Sequence, residues 1–138
     1  MNLDITPLNQ ISEELAQFQE FLNEMPSGDD PNSIIEYGNK VSSIISRTGK
    51  MVADSKWHFK NSSRDEVLNL INEYCGKYVA KEVQKLLADT VLKDIQYVAD
   101  WADRVNRTAT HQLEWCRTVV SKLKEEMKYV SGINNVRN

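Results

Sequence analysis

The sequence contains two histidines, and each stands one helical turn away from a carboxylate. Asp54 and His58 are four residues apart, and His111 and Glu114 are three residues apart. Helical bundles that hold two metal ions collect such pairs from facing helices, as Glu-x-x-His motifs with further glutamates. Here the pair at that spacing is reversed, His-Gln-Leu-Glu, and His111 projects to the polar side of its helix. We therefore expect hydrogen-bonding residues at these positions, no metal site and no other cofactor.

The sequence also lacks the motifs of common hydrolases and nucleotide-dependent enzymes. It has no Gly-x-Ser-x-Gly turn, no His-Glu-x-x-His motif and no glycine-rich phosphate loop. Its acidic residues are densest in positions 1–37, not in the paired Glu-x-x-Glu motifs of all-α nucleotide pyrophosphohydrolases. We therefore expect a protein that is not an enzyme and takes no small-molecule substrate. A metal-dependent hydrolase is the weakest alternative.

The elements that position these residues follow from the spacing of apolar side chains. Thr6 and Pro7 are typical of a helix start, because threonine caps free amides and proline loses no hydrogen bond there. An apolar stripe then recurs every three or four residues as far as Pro26: Leu8, Ile11, Leu15, Phe18, Leu22 and Met25. This pattern predicts an amphipathic first helix.

A second helix is predicted from Pro31 to about residue 60. Its inward positions alternate at spacings of four and three, which is a heptad-like seam. The seam comprises Ile34, Gly38, Val41, Ile45, Thr48, Val52, Ser55 and Phe59. Gly38 and Ser55 are small, so a neighbouring helix can approach closely at these positions.

The region 64–88 is also predicted to be helical, and Ser63 with Glu66 fits a capping box at its start. Gly76 either kinks this region or ends a helix, so one helix or two are both possible. From about residue 90 to residue 130 nothing interrupts the apolar pattern, apart from two consecutive spacings of four around Ala109 that adjust the seam locally.

These elements predict an all-α fold. We expect a helical bundle with a coiled-coil-like spine of two long antiparallel helices, at about 31–60 and 90–130, plus shorter helices. At 138 residues the chain fits a single α-helical domain, 1–138. Its ends, 1–5 and 132–138, are expected to fray.

The last helix has a second apolar face beside its main stripe, so about half of its circumference is apolar or aromatic. A helix covered on one side needs a stripe of only about 100°. The extra width requires two neighbours, either two helices of the same chain or one helix and another subunit. We expect a homodimer, because aromatic residues are enriched at interfaces and two-fold dimers are the commonest oligomers. The predicted partner contacts are Val98, Trp101, Val105, Trp115 and Val119.

Charge is distributed unevenly along the chain. Positions 1–37 hold eight acidic residues and no Lys or Arg, whereas the remainder holds all 17 basic residues and 12 acidic ones. The first helix therefore either docks on the basic remainder or competes with an anionic partner for it, unless these are simply solvated faces. Nucleic acid is the alternative partner, contacted by Arg104, Arg107, Lys122 and Lys128.

The predicted compartment is the cytoplasm. Met1–Gln10 has neither the basic nor the apolar region of a signal peptide. No apolar run approaches the roughly 20 residues that a membrane span needs. Cys75 and Cys116 are far apart in sequence and outside any metal-binding motif, so we expect buried thiols and no disulfide.

Two stretches, Arg47–Lys56 and Trp101–Met127, are similar to parts of small all-helical proteins encoded in phage and prophage regions. In the second stretch the similarity lies in Trp101, in Asn106–Glu114 and in Lys122–Met127. The resemblance implies an accessory protein, of a kind often encoded near replication or recombination genes. The leading hypothesis is therefore a non-enzymatic, homo-oligomeric interaction or scaffold protein of phage or prophage origin. The alternative is a nucleic-acid-binding accessory factor for replication or recombination.

Overall fold

The structure is a computed structural model that describes residues 3–62, 64–76 and 78–137, with side chains as far as Ser131. Within these ranges the chain forms four helices and no strand. The helices are α1 (Leu8–Asn23), α2 (Pro31–Asn61), α3 (Arg64–Cys75) and α4 (Lys81–Arg137). The predicted all-α fold is therefore confirmed. The capping residue predicted at Ser63 lies outside the described residues.

Helix α4 is longer than predicted at both ends. It spans 57 residues and continues without a break past Ala109, so it is about 85 Å long. The predicted start at residue 90 and end at residue 130 are both wrong. Gly132 does not end the helix, because one glycine in a helix costs only about 1 kcal/mol.

The region that the sequence left open forms two helices, α3 and the start of α4, separated by residues 76–80. The amide of Gly76 donates a hydrogen bond to the backbone oxygen of Asn72 at 2.8 Å. A Cβ atom at Gly76 would lie only 2.4 Å from that same oxygen, so the end of α3 requires glycine. Gln84 is buried and donates to the backbone oxygen of Val79 at 2.8 Å, which ties the turn to α4.

Helices α2 and α4 pack antiparallel, as predicted. An added Cβ at Gly38 would lie 3.6 Å from the Cβ of Cys116, and Asn106 donates to the hydroxyl of Thr48 at 3.0 Å. Residue numbers therefore rise along one helix as they fall along the other. The numbers of two residues that face each other across the helices add up to about 154. Pro31, the first residue of α2, accordingly lies level with about residue 123 of α4.

Helix α1 packs against both α2 and α4. Arg47 donates from Nε and Nη2 to the two carboxylate oxygens of Glu14, at 3.1 and 2.7 Å. The ring of Phe21 stacks on Tyr37 with centroids 5.0 Å apart. The acidic first helix therefore docks on the basic remainder of its own chain. We call α1, α2 and the part of α4 that they cover the three-helix segment.

Helix α2 is buried over a wider face than its predicted seam, because two helices contact it. Every seventh residue of the seam is fully buried: Ile34, Val41, Thr48 and Ser55. A second buried row, which was not predicted, consists of Tyr37, Ile44 and Met51, and Tyr37 in this row contacts α1. Phe59 is 39% exposed, since α2 ends two residues later.

Two polar contacts fix the register of the three-helix segment. In the middle, Asn106 bonds the hydroxyl of Thr48. Nearer the other end, the hydroxyl of Tyr37 donates to Oε1 of Gln112, whose amide donates to the backbone oxygen of Leu22 at 2.9 Å. A shift by one turn would leave these groups buried without partners, at about 1–3 kcal/mol each.

Substitutions at Gly38 test the close approach of α2 and α4. A Cβ there would make ordinary contacts, so Gly38→Ala should raise the free energy of unfolding by up to about 1 kcal/mol through helix propensity. Gly38→Ile should lower it by about 1–3 kcal/mol, because the larger side chain overpacks the contact with Cys116. Chemical denaturation measures both changes.

The matched controls are Gly49→Ala and Gly49→Ile. Gly49 is exposed, and the one atom near an added Cβ there is Nδ2 of Asn106 at 4.0 Å. Isoleucine should therefore be tolerated at Gly49. Equal stability of Gly38→Ile and Gly49→Ile would contradict the packing described here.

Candidate functional site

Asp54 is the one buried carboxylate among the described residues, and it is 5% exposed. It accepts hydrogen bonds from the amide and the hydroxyl of Thr6, at 3.0 and 2.7 Å, and from Nζ of Lys50 at 2.6 Å. Lys50 also donates to the backbone oxygen of Asp4 at 2.6 Å. Because Lys50, Asp54 and His58 are spaced four residues apart, they lie on one side of α2. Together they hold the segment before α1 against α2.

This cluster is not arranged as a catalytic triad. Nε2 of His58 lies 2.7 Å from the backbone oxygen of Thr6, whereas the hydroxyl of Thr6 donates to Asp54. In a triad the imidazole takes the hydroxyl proton and the carboxylate orients the imidazole. We call Thr6, Lys50, Asp54 and His58 the latch, because their contacts hold the segment before α1 against α2. The prediction that Thr6 caps α1 is wrong, because the hydroxyl of Thr6 donates to Asp54 and Pro7 occupies the cap position.

The second histidine pair lies far from the first. His111 is 78% exposed in its side chain, and its Nδ1 lies 3.7 Å from a carboxylate oxygen of Glu114. The antiparallel register places His111 level with about residue 43 of α2, about 16 Å along the helix from Asp54. The two pairs therefore do not converge. Within the described residues, no three His, Cys, Asp or Glu side chains come together as a metal site requires.

The latch makes stability depend on pH. Burial alone would raise the pKa of Asp54, but hydrogen bonds from Lys50 and Thr6 hold it below its ordinary value. A hydrogen bond from Arg47 likewise lowers the pKa of Glu14. A carboxylate whose pKa falls on folding stabilises the protein above its unfolded pKa, about 4, and loses this effect as the pH falls through the folded value.

The five residues that the sequence predicts as partner contacts lie against the core of their own chain: Val98, Trp101, Val105, Trp115 and Val119. Val105 is 4% exposed. Nε1 of Trp101 donates to Oε1 of Gln19 at 2.8 Å, and Gly28 approaches Val119. At this level α1 and α2 are the two neighbours that the wide apolar face of α4 requires. The homodimer prediction therefore gains no support from these five residues.

An uncovered apolar surface lies on α3 and the start of α4. It consists of five side chains that are 40–82% exposed: Leu70, Tyr74, Val83, Leu87 and Val91. We call this surface the hairpin face. Projection of the two antiparallel helices at 100° per residue places all five on the same side of the α3–α4 hairpin. Helix α3 has no fully buried residue, so this hairpin is packed less completely than the three-helix segment.

The hairpin face is open because α1 is too short to reach it. Val83, Trp101 and Val119 are each 18 residues apart, or five full turns, so they lie along one line of α4. Helix α1 covers this line at Trp101, and the loop after it covers the line at Val119. The contacts of Gln19 with Trp101 and of Leu22 with Gln112 fix the level of α1 against α4. Counting back along α1 at 1.5 Å per residue places Leu8, its first residue, level with about residues 90–99 of α4. No helix covers the line before that level in the described part of the chain.

A smaller apolar surface lies near the other end of α4, beyond the start of α2. Leu123, Met127 and Val130 line a shallow groove together with Pro31. Met127 and Val130 are exposed. We call these three residues of α4 the distal face.

The four cations predicted to contact nucleic acid are exposed but dispersed. Nη2 of Arg107 pairs with a carboxylate oxygen of Asp103 at 2.8 Å. Arg104 and Lys122 share one side of α4 but are about 27 Å apart, and Lys128 points about 120° away from them. They do not form one continuous cationic surface.

Comparisons with known proteins add no further evidence. No family model matches the chain, no curated protein matches it, and no solved structure matches it. In the described part of the chain, no helix combines the length and the hydropathy that crossing a membrane requires.

Substitution of Asp54 tests the latch. Asp54→Asn should lower the free energy of unfolding at pH 7 by about 1–3 kcal/mol, because it weakens the charge-assisted bond from Lys50. The difference from the wild type should shrink as the pH falls below about 4, through the lowered folded pKa at which the wild-type Asp54 carboxylate becomes protonated. Denaturant unfolding at several pH values measures this trend.

The control is Asp30→Asn at the exposed N-cap of α2, where asparagine caps about as well as aspartate. It should change stability at pH 7 much less than Asp54→Asn does, because Asp30 is exposed and asparagine keeps the cap. A difference between Asp54→Asn and the wild type that is the same at every pH would contradict the latch.

Proposed function

We propose that this protein is a non-enzymatic helical interaction protein, a scaffold that self-associates through surfaces of α4 outside the three-helix segment. The hairpin face carries this proposal, because its five side chains form one apolar surface in line with α1. The largest contiguous apolar patch on a monomeric protein is typically about 300–600 Å² and is often functional, and the hairpin face falls in this size range. Larger patches usually mark interaction sites. The distal face offers a second surface, about 50–60 Å away along α4.

The proposed contact surface differs from the one predicted from the sequence. Trp101 and Val105 are engaged by α1 and the core, so a partner could reach them only by displacing the chain's own contacts. Leu87 and Val91 need no such rearrangement. The homo-oligomer hypothesis is therefore retained with contacts nearer the start of α4.

The origin and compartment are also proposals. The resemblance of Arg47–Lys56 and Trp101–Met127 to phage and prophage accessory proteins supports a phage or prophage origin. Cys75 and Cys116 are free thiols, which is typical of the reducing cytoplasm.

Nucleic-acid binding is the second candidate function. It is supported by the exposure of Arg104, Lys122 and Lys128, which have no ion-pair partner among the described residues. The wide separation of these three side chains along α4 argues against nucleic-acid binding. This candidate requires binding to a labelled oligonucleotide at about 50 mM salt that weakens as salt rises and on reversal of charge at Arg104.

Light scattering over about 1–200 µM protein tests the scaffold proposal, since protein interfaces that bury about 1,600 Å² in total have micromolar or tighter affinities. We expect a mass near 32 kDa at high concentration, twice the 15.9 kDa of one chain. A mass that stays at 15.9 kDa over the whole range would contradict self-association.

A further inference from the structure

We propose that the hairpin face binds the same face of a second copy of this chain. Two α3–α4 hairpins would then form a four-helix bundle, with the two three-helix segments pointing in opposite directions. The inference rests on the proposed function, because it assumes self-association and assigns it to a surface and an orientation.

The area of the hairpin face suits such a dimer. Its five side chains expose together roughly 400–500 Å² of mainly apolar surface. Stable two-chain interfaces bury about 800 Å² on each partner and are about 55–65% apolar, so they need roughly 450–500 Å² of apolar surface per copy. The exposed side chains of the hairpin face supply about that apolar area.

The shape of the molecule also favours another hairpin as the occupant. In the three-helix segment, α4 is covered by α2 on one side and by α1 on the other. In the hairpin, α3 covers one side of α4. The side of α4 that α1 covers further along the helix is uncovered here, so Leu87 and Val91 are exposed. A helix from a second copy fits this position, and two-fold symmetry makes the arrangement reciprocal.

Helix α1 determines the direction of packing. If two copies packed with their α4 helices parallel, the body of each copy would extend along the line that α1 of the other already occupies. With α4 helices antiparallel, the two bodies lie at opposite ends and do not collide. The two-fold axis then crosses α4 near Leu87, and Val83 of each copy lies opposite Val91 of the other.

Neighbouring leucines on α4 provide a matched pair of variants. Leu87→Glu places a charge at the centre of the proposed interface, whereas Leu86 is also exposed but points about 100° away. We expect Leu87→Glu to weaken dimerisation at least tenfold and Leu86→Glu to leave it unchanged within about twofold, by analytical ultracentrifugation. Leu87→Ala, which retains helix propensity, should weaken it in the same direction.

Crosslinking tests the orientation. In a Cys75→Ser background, which can keep the hydrogen bond to the backbone oxygen of Ile71, a short bismaleimide should join Leu87→Cys protomers to each other. Val83→Cys mixed with Val91→Cys should give a crosslinked heterodimer, and each alone should give little product. Efficient crosslinking of Val83→Cys alone would indicate parallel packing and overturn the proposed orientation.

The outcomes separate this inference from the proposed function. A wild-type monomer at all concentrations contradicts both. A wild-type dimer that survives Leu87→Glu and Leu87→Ala but is broken by Met127→Glu supports self-association through the distal face and overturns the hairpin assignment. Loss of the dimer in the Leu87 variants, with unchanged helicity by circular dichroism, supports both.

Discussion

The architecture depends on the close packing of α2 against α4. Gly38 on α2 and the buried residues Ala102, Ala109 and Cys116 on α4 let the two helices approach, and the contact between Thr48 and Asn106 fixes their register. Once the register is fixed, the lengths of the helices determine what is covered. Helix α2 spans 31 residues and α4 spans 57, so about 40 Å of α4 extends beyond α2. Helix α3 covers part of one extension, and the other extension carries the distal face.

Much of this fold is predictable from the spacing of apolar residues, because both long helices carry seven-residue patterns over many turns. The buried row Tyr37, Ile44 and Met51 was missed because a heptad seam describes contact with a single neighbour, whereas α2 has two. The break at Gly76 was recognised as a break or a kink, but the choice depends on crowding against Asn72, which spacing alone does not reveal. The hydrogen bond between Thr6 and Asp54 joins residues that are 48 positions apart, and no local sequence pattern predicts it.

The candidate interaction surface was predictable only in part. The width of the apolar face of α4 correctly indicated two neighbours, but the sequence could not tell that α1 is one of them at Trp101 and Val105. Val83, Leu87 and Val91 continue the same apolar pattern, and spacing alone does not distinguish a covered residue from an uncovered one. A comparison of the predicted first helix, which ends before Pro26, with the much longer helix predicted at about 90–130 gives part of that signal, because the first helix is too short to cover the whole of the last.

In the proposed dimer, α4 extends beyond its own bundle and a second copy covers it there. Hydrogen exchange measured at about 1 and 100 µM protein tests this arrangement most directly, since it reports protection of each helix separately. We predict that amides in α3 and in residues 81–94 exchange more slowly at the higher concentration, while those in the middle of α2 are unchanged. Exchange in α3 and 81–94 that is independent of concentration would contradict the account.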